Sequence, residues 1–127
     1  MRRVLVVDDE RDVVDLLRTI LEVEGFAVEV ETDGRAALSR VLGNPPDLIV
    51  LDLMMPDLDG FELLKLLRLE PRAAGVPVLI VSARTAHQDQ IESLQLGADA
   101  YICKPFSPKE LVRQVQQLLE SEDAEGA

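Results

Sequence analysis

Short apolar runs alternate with amphipathic stretches five times along this chain. Val4–Val7 is the first run. Val13, Leu17, Ile20 and Leu21 then recur at helical spacing, and Gly25 ends that helix. Ala27–Glu31 alternates like an edge strand. Asp33-Gly34 opens a short helix that ends near Gly43, where Asn44-Pro45-Pro46 forbids continuation. Leu48–Leu51 is uniformly apolar, as a strand covered on both faces should be.

Asp59-Gly60 opens a third helix, leucine-rich through Leu69. Val78–Val81 is the fourth strand, and Tyr101–Cys103 the fifth. The helix between them, Ala86 to Leu96, is weakly apolar, with Ile91 and Leu94 as its expected anchors. Ser107-Pro108-Lys109-Glu110 reads as a capping box with proline at the first helical position. Leu111, Val115, Leu118 and Leu119 line the last helix.

Regular βα alternation predicts an α/β fold: a parallel five-stranded sheet, helices on both faces, right-handed crossovers. The expected organisation is one domain over 1–121 and a flexible acidic tail over 122–127. In such sheets ligands bind beyond the carboxyl ends of the strands, where strand order reverses.

Composition narrows the function. A chain of 127 residues can bury a core without disulfides, and with Cys103 as its one cysteine no internal disulfide can form. The formal net charge of −11 argues against direct nucleic-acid binding and against anionic membranes. Only four apolar residues separate Arg2-Arg3 from Asp8, too few for a signal-peptide core. The expected location is cytoplasmic.

Three predicted strands end on charge: Val4–Val7 on Asp8-Asp9, Leu48–Leu51 on Asp52, Tyr101–Cys103 on Lys104. Parallel strands would gather these ends along one edge. Crowded carboxylates repel, and a divalent cation removes that penalty. An all-oxygen set without cysteine or histidine suits magnesium and argues against zinc. A carboxylate fixed by a buried strand can attack a phosphoryl group and form an acyl phosphate. The lysine head can neutralise the transferred oxygens. Ser82 ends the fourth strand and offers a hydroxyl to a phosphate oxygen. Each residue also has a plain structural reading: a solvated acidic turn, a strand-end turn aspartate, a turn-forming serine.

Taken together, Asp8-Asp9, the stretch Asp52-Leu53-Met54-Met55-Pro56-Asp57-Leu58-Asp59-Gly60, Ser82-Ala83 and Lys104-Pro105-Phe106 resemble the receiver (CheY-like) domain of two-component response regulators. The resemblance runs from Val4 to the last helix. It implies a flavodoxin-like doubly wound (βα)5 sandwich with strand order 2-1-3-4-5. It implies Asp52 as phosphoacceptor. It also implies Asp9, Asp52 and the Met54 backbone carbonyl as direct Mg2+ ligands, with Mn2+ as a substitute and Asp8 acting through a bound water. Lys104, Ser82 and Ala83 would contact the phosphoryl group, and Ser82 with Tyr101 would form the switch. The Lys104-Pro105 bond is expected to be cis.

The implied donor is a phosphohistidine on a histidine kinase or a histidine phosphotransfer protein. His87, the one histidine, is not that group and is expected on the surface. The implied output surface is the fourth helix, fifth strand and last helix, read by a downstream protein or domain. Receivers fused to winged-helix DNA binders carry opposite charges where the uncharged Ala100 and Gln114 stand here, so the resemblance does not extend to their familiar dimer. A monomer or weak phosphorylation-dependent dimer is expected. The other readings are a module of a larger regulator or hybrid histidine kinase, and a magnesium-dependent phosphatase with an aspartate nucleophile. The second lacks a general acid at Met54, two residues past the nucleophile. The leucine surplus of the third helix reads as scattered exposed leucine.

Overall fold

The computed structural model describes the backbone of residues 1–126 and the side chains of residues 1–121. Strands and helices alternate strictly: β1 Arg3–Val7, α1 Arg11–Val23, β2 Ala27–Glu31, α2 Gly34–Gly43, β3 Leu48–Leu51, α3 Gly60–Leu69, β4 Val78–Ser82, α4 His87–Gln95, β5 Ala100–Cys103, α5 Pro108–Gly126. The tail expected over 122–127 lies outside the residues whose side chains are described.

All strand pairings are parallel and the order is β2-β1-β3-β4-β5, the expected doubly wound sheet. Alternate residues of each strand feed opposite faces. Leu5, Val7, Ile49, Leu51, Val78 and Ile80 pack with Ala37 and Val41 of α2 and Leu63, Leu64 and Leu67 of α3. Val4, Val6, Leu48, Val50, Leu79 and Val81 pack with Val14, Leu17 and Leu21 of α1 and Leu111, Val115 and Leu119 of α5. The sheet is thus sealed on both faces, and each fully buried leucine contributes about 2 kcal/mol.

Helix starts follow the short polar residues. Asp33 accepts from the Ala36 N–H at 2.7 Å, and Asp59 from the Glu62 N–H at 2.9 Å. Half of the expected box at α5 forms: Ser107 Oγ accepts from the Glu110 N–H at 3.4 Å, while the Glu110 carboxylate turns to Arg113 and Gln114. The Lys104–Pro105 peptide is cis. β2 is an edge strand, and its Glu29 and Glu31 pair with Arg3 and Arg40. Charge along an edge discourages further strand addition.

α4 differs from the expectation. Ile91 and Leu94 are not its anchors: they are 40% and 47% exposed. Ser93 is the buried residue of this helix, its hydroxyl donating to the Gln90 carbonyl at 2.9 Å. Leu96 and Ala98, just past its end, reach the core instead. The leucines of α3 divide as expected, with Leu66 and Leu69 left exposed.

Candidate functional site: the carboxyl edge of the sheet

Strand register brings the charged ends together. Val7 pairs with Leu51, so Asp8 and Asp52 leave neighbouring strands at the same level. Ser82 pairs with Cys103, and the Lys104 N–H donates to the Ser82 carbonyl at 2.8 Å. β4 lies between β3 and β5, so the long Lys104 side chain is what spans it. The Lys104 ammonium stands 2.8 Å from Asp8 Oδ2 and 3.2 Å from Asp52 Oδ2.

Three strand ends share one local device. Asp8 Oδ1 accepts from the Glu10 N–H at 3.0 Å. Asp52 Oδ1 accepts from the Met54 N–H at 3.2 Å. Ser82 Oγ accepts from the Arg84 N–H at 3.2 Å. Each side chain thereby turns the chain two residues on, and each oxygen is held in place by its own backbone. Asp8, Asp52 and Ser82 are all buried.

The electrostatics are tense. Burial pushes the Asp8 carboxyl above its ordinary value, against the pull of its hydrogen bonds from Lys104 and Glu10. Burial also pulls on Lys104 in the direction of the neutral amine, but Asp8 and Asp52 overcome it and the ammonium titrates above its ordinary value. Lys104 is therefore charged at neutral pH. Asp8 is the group whose burial its partner does not fully offset.

The Asp8, Glu10 and Asp52 carboxylates each offer an oxygen within 4.8 Å of the others, a group able to hold a metal ion. Glu10 is the member the sequence reading passed over. It precedes the first turn of α1 in extended conformation, which turns it back to this edge. Lys104 Nζ lies 4.0 Å from it. Asp9 is exposed and stands outside that group. It lies with Met54, Pro56, Asp59 and Arg84 on the wall of an adjoining cavity of about 390 Å³. Ala83 is exposed at the start of the loop after β4, and His87 is exposed at the start of α4.

The loop after Asp52 is pinned at both ends. Asp57 caps α2, accepting from the Gly34 and Arg35 N–H groups at 3.1 and 3.2 Å. These bonds, after one from its own loop, hold the Asp57 carboxyl below its ordinary value. Gly60 lies so close to the chain leaving β3 that a Cβ there would sit 2.5 Å from Leu53 Cα and 2.6 Å from the Asp52 carbonyl oxygen. Proximity to the Asp52–Leu53 backbone explains that glycine.

Tyr101 is half-buried at the edge of the α2/α3-side core, and its hydroxyl donates to the Arg84 carbonyl at 2.7 Å. Burial lifts its phenol above the ordinary value, with the Ser82 hydroxyl opposing. The loop that Ser82 turns is thus the loop that Tyr101 holds. No helix among the described residues is long and apolar enough to cross a membrane.

Similar proteins agree with this geometry. The family model of the response regulator receiver domain matches residues 4–116. The response regulator SaeR of Staphylococcus aureus (strain USA300) is 42% identical over 119 residues, covering 94% of this chain and 51% of SaeR. The chain spans about half the length of the curated relatives it matches. The receiver domain of the Francisella response regulator 1452 is 40% identical, covers 95% of this chain and 98% of its own, and superposes with a TM-score of 0.89. A CheY-like receiver domain protein from Methanospirillum hungatei JF-1 covers 98% of both chains at 32% identity and a TM-score of 0.91. With the strand order, the charged strand ends and these relatives in agreement, the chain belongs to the receiver domain family of two-component response regulators.

Proposed function

We propose that this receiver is a phosphoacceptor switch with Asp52 as its acceptor. One observation carries the reading: a single ammonium, Lys104, bridges two buried carboxylates from separate strands. In transfer, an Asp52 oxygen bonds to phosphorus as the phosphorus–nitrogen bond of a donor phosphohistidine breaks. The electron pair of that bond returns to the imidazole, and an acyl phosphate is left on Asp52. Lys104 neutralises charge on the transferred oxygens, and Ser82 and the Ala83 N–H offer hydrogen bonds once they arrive.

The donor set fits a hard cation, because every available ligand is an oxygen. Asp8, Glu10 and Asp52 would hold it, with Asp9 and Met54 beside them on the cavity wall. Magnesium, or manganese in its place, supplies charge neutralisation at the phosphoryl oxygens when bound. The donor is a histidine kinase or histidine phosphotransfer protein. The acyl phosphate then hydrolyses slowly, for the apolar Met54 offers nothing to orient an attacking water.

Signal leaves through the Ser82 loop. Phosphorylation adds about −1.5 to −2 charges and three acceptor oxygens. Movement of Ser82 toward them shifts the loop that Tyr101 holds, and α4 follows, having few buried anchors. The α4–β5–α5 surface is then read by an output partner or domain.

Intact mass after incubation with acetyl phosphate and Mg2+ tests the acceptor. Wild type should gain one phosphoryl group and Asp52→Asn none; equal labelling rules Asp52 out. SaeR is about twice as long as this chain, which favours, as a second reading, the same switch working within a longer regulator. The genomic reading frame separates the two.

A further inference from the structure

Asp57 ties the loop after β3 to the first turn of α2. Its Oδ1 accepts from the Gly34 N–H at 3.1 Å and its Oδ2 from the Arg35 N–H at 3.2 Å, across 23 and 22 residues of sequence. α2 already has a local cap, because Asp33 accepts from the Ala36 N–H at 2.7 Å. As a second cap, Asp57 would serve only the helix. The residues around it give the bond another use.

Leu53, Met54, Met55 and Pro56, which lead up to Asp57, line the cavity that also holds Asp9. The Asp57 carboxylate reaches away from that wall, to α2. The loop lies directly on the start of this helix: a Cβ on Gly34 would sit 2.3 Å from the Leu58 carbonyl oxygen. Elsewhere the loop is held by its ends and by the core. The Gly60 N–H donates to the Leu53 carbonyl at 2.9 Å, and Leu53, Met55 and Leu58 are buried. Met54, Pro56 and Asp57 are exposed. The two Asp57 bonds join this exposed part of the loop to a neighbouring element.

We propose that Asp57 is a positioning residue for phosphoryl transfer: by holding the loop against α2 from behind, it fixes the Met54 backbone beside Asp52 and the cation. The inference rests on the phosphoacceptor reading above. The Met54 N–H orients Asp52 Oδ1 at 3.2 Å. A loop that drifts from α2 loosens that bond and carries the Met54 carbonyl with it. Small displacements of this kind are costly in a site built on geometry, and magnesium tolerates little distortion among its oxygens. The Asp57 charge suits the task. Backbone donors, Leu58 first and then Gly34 and Arg35, hold its carboxyl below the ordinary value, so it stays ionised at neutral pH.

The test uses the whole chain with Mg2+ as the probe. The Met54 amide is followed by 15N-resolved NMR as Mg2+ is added, at a temperature where every variant is folded. Asp57→Ala should raise the Mg2+ Kd by roughly threefold or more, since supporting residues tune a metal site through the groups they hold. Asp57→Asn keeps one acceptor oxygen and should fall between it and wild type. Asp33→Ala is the control, for it removes a cap from the same helix without touching the loop. It should lower stability and leave the Kd unchanged. The rate of acetyl phosphate labelling at low Mg2+ should fall in Asp57→Ala and not in Asp33→Ala. An unchanged Kd in Asp57→Ala, with wild-type Asp52 still labelled, would overturn the inference and leave the acceptor reading intact. So would an equal rise in Asp33→Ala, which would assign the effect to the start of α2 alone. A wild type that takes up no phosphoryl group would overturn both.

Discussion

Lys104 Nζ lies 3.2 Å from Asp52 Oδ2, although 52 residues separate them in the chain. The same ammonium holds Asp8 at 2.8 Å. Removing it leaves two buried carboxylates facing each other without a counter-charge. Lys104→Ala should therefore destabilise the fold by about 3 kcal/mol at neutral pH. Mg2+ should raise the melting temperature of this variant more than that of wild type, because the metal replaces the missing charge. The native ammonium has its pKa raised, so its contribution is complete below 10.5 and is lost as pH rises through the folded value. Equal Mg2+ responses in the two proteins would count against this account of the site.

Asp8 behaves in the opposite way to a typical ion-paired carboxylate. Its folded pKa is raised above 3.8, mainly by burial. Folding thus favours its protonated form, and the charged form costs stability as pH rises through the folded value. Asp8→Asn is neutral throughout. It should be more stable than wild type at neutral pH, by about 1 kcal/mol, with Lys104 still paired to Asp52. The advantage should shrink as pH falls toward 3.8. Urea unfolding along a pH series checks it, and a variant weaker than wild type at neutral pH would refute the sign.

Tyr101→Phe removes the donor to the Arg84 carbonyl and the hydroxyl's contact with Ser82. The cost should be about 1 kcal/mol. Amide exchange should quicken locally in residues 83–86, ahead of the sheet. Exchange unchanged in that loop would mean the hydroxyl does not hold it.

Gly60→Ala places a methyl group against the backbone of Asp52 and Leu53, which cannot yield as a side chain can. More than about 2 kcal/mol should be lost. Gly75→Ala is the matched control: its Cβ meets nothing within 4 Å, and stability should stay within about 0.5 kcal/mol. Thermal unfolding of the pair reads both.

Much of this was legible because it is local. Asp33 and Asp59 announce their helices through their own side-chain caps. Leu48–Leu51 and Val78–Val81 are apolar throughout, and the structure covers both of their faces. Asp52 and Lys104 could be placed at strand ends from the runs that precede them. α4 departs from its sequence pattern for a matching reason. A weakly apolar helix has no dominant stripe, so its largest side chains do not announce its inner face, and Ser93 is the residue that packs.

By itself the sequence determined the order of elements, their approximate bounds and the chemistry available at each strand end, since these depend on neighbours a few residues away. Only the tertiary structure decided which carboxylates meet. Glu10 joins Asp8 and Asp52, because its place depends on how the chain turns between β1 and α1. It also decided that Arg84 stands between Ser82, Tyr101, Phe61 and Asp89. Contacts among a loop, two helices and two strands are set by the register of a whole sheet, and no local pattern encodes that register.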